Sequence, residues 1–206
     1  MTVLDGARST PEALFDYLLA GTVASWAVAS LSTPDGRLSP VRCAVAFVHL
    51  AAAFHFSVRS PALRSGSRSS ILASAPSIVS AGIAFSIAAP VGHWPLGAQA
   101  LFTLGAVITV LSFCALGRSF GILPALRPIA TRGPYRLLRH PAYAGELLMV
   151  LACALSRPSA LAAAVVVVSI PLASLRIRAE EALLDSDERY RTYRERVRFR
   201  LLPGLW

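Results

Sequence analysis

Charged residues are scarce in this chain of 206 residues, and lysine is absent from it. Only 15% of the residues are charged and 55% are hydrophobic, whereas a typical soluble domain carries about 25% charged residues. All 20 basic residues are arginine. This composition argues against a soluble globular domain and is typical of an integral membrane protein.

Cysteine is also rare, and its placement argues against a zinc site. Cys43, Cys114 and Cys153 each lie in an apolar run, and no two of them form a CxxC pair. A zinc site needs clustered ligands at close spacing. We therefore interpret the three residues as buried thiols in helices and expect no metal cofactor.

Apolar runs occupy most of the chain and predict six membrane spans. They cover residues 12–31, 41–58, 71–89, 96–117, 141–156 and 159–175, within a residue or two. The first four approach the roughly 20 residues that a helix needs to cross a bilayer. The last two, of about 16 residues each, rise only about 24 Å as helices. We expect these two to form a tight, shallow hairpin.

The segment DSDERYRTYRERVRFRLLPGLW, after the sixth run, predicts one more helix. Tyr190, Tyr193 and Val197 share a helical face, and opposite charges such as those of Asp185 and Arg189 are spaced by four residues. We interpret it as an amphipathic helix on the membrane surface. The predicted fold class is all-α: a polytopic membrane helix bundle of about six transmembrane helices with a cytoplasmic amphipathic helix near the C-terminus.

Arginine is distributed unevenly over the two sides of the predicted bundle. With six spans, 17 arginines fall on the side of both termini, and three, Arg37, Arg42 and Arg157, fall on the other. The positive-inside rule places the richer side in the cytoplasm. We expect both termini and the loop 118–140 there, in a bacterial inner (plasma) membrane. The arginines would contact anionic membrane lipid, and no nucleic acid is needed to explain the net charge of +9.

The stretch RGPYRLLRHPAYAGE, residues 132–146, concentrates charge at the start of the fifth span. Pro141 suits the first position of a helix and places His140 at its cap. Free backbone N–H groups at such a helix start favour an anion. His140, Tyr143 and Glu146 share one helical face. Because an ionised side chain facing lipid costs at least about 2.5 kcal/mol, Glu146 should face a cavity or a partner.

A second charged cluster, RIRAEEALL, follows the sixth apolar run. Arg176 and Glu180 are four residues apart and within reach of each other on one helical face. The fifth helix leaves the cytoplasmic side and the sixth returns to it, so the hairpin brings this cluster beside His140. An anion site beside carboxylates suits a small zwitterionic or cationic ligand. From the residues alone, the alternative is that the glutamates are solvated and the arginines contact lipid.

Together the two clusters resemble a known family. GPYRLLRHPAYAG, followed some forty residues later by EE and a Tyr-x-x-Tyr segment, is similar to the isoprenylcysteine carboxyl methyltransferases, whose core the phospholipid N-methyltransferases share. The resemblance covers residues 112–206. It implies a single membrane methyltransferase domain, 1–206, with accessory helices in 1–95 and a cofactor-binding core in 96–206. The implied cofactor is S-adenosylmethionine and the product S-adenosylhomocysteine, bound without the glycine-rich loop of soluble methyltransferases.

The resemblance also implies which residues form the site. The cofactor would lie between the last two membrane helices, the loop before them and the C-terminal helix. The implied cofactor-binding residues are Leu116, Gly117, Pro128, Ile129, Ala130, Tyr135, His140, Pro141, Ala142, Tyr143, Glu180 and Glu181. The expected catalytic residues are Arg176, Glu146 and Arg139. Arg176 matches a substrate-facing arginine of the family, whereas Glu146 has no fixed counterpart in it.

The expected reaction is direct methyl transfer to a lipophilic small molecule or a lipid. An isoprenoid-type carboxylate needs no base and would be held by Arg176. An amine, as in phospholipid N-methylation, needs a base such as Glu146 or Glu180.

A small membrane transporter or a non-catalytic scaffold is the competing interpretation. A transporter would carry ionisable residues along several spans, and this chain has few of them. They are Asp16, His49, His55 and Glu146. The two histidines are six residues apart on different helical faces, which makes them a poor metal or proton pair.

Overall fold

The computed structural model describes residues 10–32, 38–204 and 206 of the chain. Seven α-helices follow one another in these ranges. They are α1 Thr10–Leu31, α2 Pro40–Val58, α3 Arg68–Ile87, α4 Leu96–Leu116, α5 Pro141–Ser156, α6 Ala160–Leu184 and α7 Glu188–Arg196. Two strands of two residues, β1 Arg64–Ser65 and β2 Ala125–Leu126, pair antiparallel. The predicted all-α fold class is confirmed.

Of the helices in the described part of the chain, five are long and apolar enough to cross a membrane, namely α1 to α4 and α6. The shorter α5 has 16 residues, as predicted. The predicted shortness of the sixth helix is wrong, because α6 has 25 residues. Its apolar part ends near residue 175, but the charged stretch that follows continues the same helix. Among the six apolar helices within the described residues, α5 alone is therefore shorter than a typical span.

The cysteines lie in α2, α4 and α5 and are free thiols. Cys153 is buried, as predicted, and Cys43 is half-buried. The prediction of a buried thiol is wrong for Cys114, which is exposed on the outer face of α4. A thiol is apolar enough to face lipid there. Within the described ranges, no group of three or more His, Cys, Asp or Glu could hold a metal ion.

Contacts between loops sort the helix ends into two sides. On one side, the segment before α3 pairs with the segment after α4: Leu63 N donates to Leu126 O at 2.9 Å, and Ser60 N to Arg118 O at 2.7 Å. On the other side, the residues after α3 contact the end of α5: Ala89 N donates to Ser156 Oγ at 3.1 Å. This alternation is the one that six antiparallel spans predict. Two arginines of the topology count, Arg8 and Arg37, lie outside the described residues.

The short helix α5 packs very closely against α4. A Cβ added to Gly105 of α4 would lie 2.6 Å from Gly145 O and 2.9 Å from Met149 Cγ, both of α5. A Cβ added to Gly145 would in turn overlap the side chain of Thr109 and the carbonyl of Gly105. Close backbone approach through small residues is a common way of joining helices in membranes. It sets the position of the helix that carries the candidate site.

Polar contacts join the remaining helices. Asp16 of α1 forms an ion pair with Arg59, directly after α2. Ser169 Oγ of α6 donates to Ser80 Oγ of α3 at 3.3 Å. Hydrogen bonds of this kind between membrane helices stabilise their packing. The pairs α1–α2 and α3–α6 therefore flank the close pair α4–α5.

The helix α7 packs against protein through its apolar face. Tyr190, Tyr193 and Val197 are buried and cluster with Tyr135 of the loop before α5. The shared face of these residues is confirmed. This face packs against that loop, and the position of α7 on the membrane surface stays a prediction. Asp185 pairs with Arg194, nine residues on in the last turn of α7, at 2.9 Å; the predicted partner was Arg189, four residues on.

Replacing Gly105 with Ala should destabilise the bundle, because the added Cβ would overlap the Gly145 carbonyl. Overpacking costs about 1–3 kcal/mol, which outweighs the gain of about 1 kcal/mol of Ala over Gly in a helix. The control is Gly97→Ala in the same helix, where a Cβ meets nothing within 4 Å. We expect a lower thermal midpoint in detergent for Gly105→Ala only. Equal midpoints for the two variants would contradict the close approach.

Candidate active site

The start of α5 and the end of α6 meet on the arginine-rich side. Tyr143 OH donates to Glu180 Oε2 at 2.6 Å, and His140 Nδ1 lies 3.9 Å from the same oxygen. His140 Nε2 lies 3.1 Å from Glu181 Oε1. The predicted meeting of the two sequence clusters is confirmed.

Glu181 is the buried centre of an ion-pair cluster. Arg200 donates to Glu181 Oε2 through Nε at 2.9 Å and Nη2 at 2.8 Å. Arg139 Nε lies 3.4 Å from the other oxygen, which also contacts His140. The hydrogen bond to Glu181 raises the pKa of the Arg200 guanidinium above its ordinary value. Because both oxygens are engaged, we interpret Glu181 as a residue that holds the site together, in place of the direct cofactor contact expected from the resemblance.

Backbone hydrogen bonds tie the residues after α7 to the start of α5. Arg139 N donates to Phe199 O at 2.9 Å, and His140 N donates to Arg200 O at 3.0 Å. Arg200 also lies over the ring of Trp206, 5.0 Å from its centroid. Backbone carbonyls of the chain therefore accept hydrogen bonds from these two N–H groups just before α5. The two groups are not available to the anion expected at this helix start.

The buried tyrosines of α7 and of the loop before α5 are neutral. Tyr193 OH donates to Tyr135 O at 2.8 Å. Burial raises the pKa of Tyr135 well above its ordinary value, and the nearby charge of Glu180 raises it further. Burial likewise raises the pKa of Tyr190 and Tyr193. These hydroxyls therefore stay protonated at physiological pH and do not act as bases.

Arg176 lies buried where α6 faces α3 and α5. Its Nη1 is 3.3 Å from Ser77 Oγ and 3.4 Å from Glu146 Oε2, and its Nη2 donates to Ile122 O at 2.8 Å. The guanidinium also lies over the Tyr143 ring, 4.5 Å from the centroid. Both terminal nitrogens are therefore engaged by protein groups.

The ion pair of Arg176 with Glu146 takes the place of the predicted contact with Glu180. Glu180 bonds instead to the hydroxyl of Tyr143, and that ring separates it from Arg176. The predicted common face of His140, Tyr143 and Glu146 is borne out by the contacts, since the rings of His140 and Tyr143 stack 5.5 Å apart at 5°. The Tyr143 ring therefore lies between two carboxylates: that of Glu180, beside the start of α5, and that of Glu146, one turn further along α5.

A cavity of about 390 Å³ opens between these groups. This volume falls in the range of ligand pockets, about 300–1,000 Å³. The expected residues that line it are Leu116, Pro128, Ile129, Ala130, Tyr135, Arg139, His140, Ala142, Tyr143, Glu146, Arg176 and Glu180. Three others, Gly117, Pro141 and Glu181, are not part of the lining. Gly117 ends α4 with a φ of 53°, Pro141 begins α5, and Glu181 holds the ion-pair cluster.

The cavity has further lining that the sequence patterns did not indicate. From the accessory helices come Val23, Trp26, Val48, His49, Ala52, Ile78 and Ala81, and from elsewhere Thr109, Phe113, Phe120, Ile122, Arg127, Met149, Tyr190 and Tyr193. Single apolar residues in a span look alike in sequence whether they face lipid or a cavity. The polar or aromatic side chains of Trp26 and His49 were the only cue in α1 and α2.

The comparison with protein families bears on the same region. The model of the phospholipid methyltransferase family matches residues 95–191. Those residues are similar to this family of membrane methyltransferases. The match begins just before α4 and ends within α7, so it contains both sequence clusters and the residues that join them. It confirms the resemblance to this methyltransferase group, while α1 to α3 lie outside the matched range. No curated protein matches the chain.

Replacing Glu181 with Gln should destabilise the protein far more than replacing Asp185 with Asn. The first change leaves Arg139 and Arg200 without their buried counter-charge, and breaking a buried pair costs about 3–5 kcal/mol. Asp185 pairs with Arg194 at a partly exposed position, where an ion pair contributes about 0–1 kcal/mol. Thermal unfolding in detergent measures both. Equal shifts of the midpoint would show that Glu181 does not hold the site together.

Proposed function

We propose that the protein is an integral membrane methyltransferase that uses S-adenosylmethionine to methylate a lipid-type acceptor. One observation carries the proposal: the two charged clusters of the family core line a single cavity of ligand size. The five apolar helices and the family match support a membrane enzyme. The arginine-rich loops border the cavity, so the positive-inside rule favours a site that opens to the cytoplasm.

The residues around the cavity fit the cofactor that the family implies. The side chain of Glu180 is 30% exposed, against 6% for Glu181, so Glu180 has a carboxylate oxygen available to a ligand. It would accept hydrogen bonds from the ammonium or ribose hydroxyls, while Arg139 would attract the carboxylate. The rings of Tyr135, His140 and Tyr143 offer flat surfaces beside them. When bound, S-adenosylmethionine supplies an electrophilic methyl group on a sulfonium.

The chain's part in the reaction is alignment and exclusion of water. Glu180, with its oxygen held by Tyr143, would fix one end of the donor. Glu146 and Arg176 lie one helical turn deeper, where an acceptor from the bilayer would arrive. Holding two reactants in a fixed geometry supplies a large part of the rate enhancement of a transfer reaction.

The Glu146–Arg176 pair bears on the chemistry of the acceptor. The resemblance implied that Arg176 faces the substrate, where it would hold an anionic acceptor such as an isoprenoid-type carboxylate. Its terminal nitrogens are already engaged by Glu146, Ser77 and Ile122, and the side chain of Glu146 is 28% exposed. A second carboxylate beside Glu146 would be repelled. This favours the alternative acceptor, one with a proton on its nucleophile such as a lipid amine or hydroxyl, with Glu146 as the base.

The full chain in detergent should bind S-adenosylhomocysteine, and Glu180→Gln should weaken that binding about tenfold or more. A hydrogen bond to a charged group contributes about 1.5–3 kcal/mol, and 1.4 kcal/mol is a factor of ten in affinity. The control is Glu195→Gln, since Glu195 is exposed on α7 and outside the cavity. Titration calorimetry measures all three proteins. No binding to the unaltered chain would end the methyltransferase proposal.

Replacing Glu146 with Gln separates the two acceptor classes. An amine or hydroxyl acceptor needs a base, so turnover should fall by about a hundredfold or more, while affinity for S-adenosylhomocysteine stays within about twofold. The assay follows transfer of a labelled methyl group from S-adenosylmethionine to a membrane lipid extract. Full activity in the variant would contradict the base and favour a carboxylate acceptor.

A further inference from the structure

A second cavity adjoins the candidate cofactor cavity and extends deeper into the bundle. It has about 280 Å³ and is lined by residues of α2, α3, α4 and α5. Its walls are apolar apart from one histidine, one glutamate and the thiol of Cys153. Its volume lies at the lower end of ligand pockets, about 300 Å³, which suits a single hydrocarbon chain.

The two cavities share part of one wall. The residues common to both are Val48, His49, Ala81, Glu146 and Met149. Only His49 and Glu146 among them are polar, and they come from helices that are distant in sequence. A molecule with its chain in the second cavity would therefore present its head to the first cavity between these two side chains.

His49 is a polar residue of α2 on the wall that both cavities share. Its Nδ1 is enclosed and directed to the backbone of Val45, one turn earlier in α2. Trp26 of α1 packs edge-on against the ring, with 5.9 Å between centroids. Because the ring lines both cavities, its imidazole is within reach of a ligand at their junction. Glu146 is the other polar residue of that wall and forms an ion pair with Arg176.

We propose that His49 is the residue that recognises the methyl acceptor, and that the second cavity is the subsite for the acceptor's hydrocarbon chain. The inference rests on the proposed methyltransferase function. The acceptor is a molecule with one apolar chain and an amine or hydroxyl head, which donates a hydrogen bond to the imidazole. Because α2 lies outside the range matched by the family model, this recognition is a property of the accessory helices.

The test uses the full chain with dodecylamine, dodecanol and dodecanoate, which share one chain and differ only in the head. Labelled S-adenosylmethionine reports methylation of each probe. We expect methylation of the amine or the alcohol and none of the carboxylate. A chain that binds S-adenosylhomocysteine but methylates neither protic probe would overturn the inference and leave the methyltransferase proposal intact. Loss of cofactor binding itself would instead defeat the proposed function.

Variants of His49 separate recognition from folding. His49→Ala should raise the KM for the protic probe about tenfold with affinity for S-adenosylhomocysteine unchanged, and His49→Gln, which keeps a hydrogen-bonding group, should recover part of the loss. The control is His55→Gln on the same helix, where the imidazole is buried against Phe120 outside both cavities. An unchanged KM in His49→Ala would overturn the role of His49.

Blocking the second cavity tests the chain subsite independently. Gly82 lines this cavity but not the first, and a Cβ added to it meets nothing within 4 Å. Gly82→Leu should therefore fold and fill the space meant for the chain. We expect a KM for the protic probe raised about tenfold or more, with unchanged affinity for S-adenosylhomocysteine. A normal KM in this variant would show that the chain lies elsewhere.

Discussion

The structure depends on one contact between helices. Two adjacent glutamates at the end of α6, Glu180 and Glu181, meet the start of α5. Neighbouring positions on a helix point about 100° apart, so the two carboxylates face different surroundings. Glu181 turns into protein, where Arg200, Arg139 and His140 surround it. Glu180 turns towards the cavity, where Tyr143 donates to one of its oxygens and His140 lies near the same oxygen. One carboxylate thus closes the site and leaves the other available to a ligand.

The same contact organises the border between a polar and an apolar space. The C-terminal segment is tied to it through Arg200, and α7 covers the loop before α5 with its tyrosines. One turn deeper, Glu146 and Arg176 form an ion pair inside the bundle. Each neutralises the charge of the other, because an isolated buried charge is costly. A cavity with charged walls therefore meets one with hydrocarbon walls. A reaction between a water-soluble donor and a lipid acceptor needs this arrangement.

Much of this could be predicted from local patterns. Apolar runs and the uneven arginines indicate the helices and their sides, and a hairpin brings Glu180 to His140. The length of α6 was misjudged because charged residues can continue a helix after the apolar run ends. The partner of Arg176 could not be foreseen, because α3 and the loop after α4 also compete for it. Nothing local distinguishes His49 from any histidine in a span, since its role depends on helices far apart in sequence.

The most direct measurement of the central claim is an experimental structure of the chain with S-adenosylhomocysteine. The account predicts that the ligand occupies the cavity between α4, α5, α6 and α7, with its polar groups against Glu180 and its sulfur towards Glu146. In that structure Glu181 would keep its contacts with Arg200 and His140. A ligand bound elsewhere, or a bound state in which Glu180 and His140 line separate cavities, would contradict it.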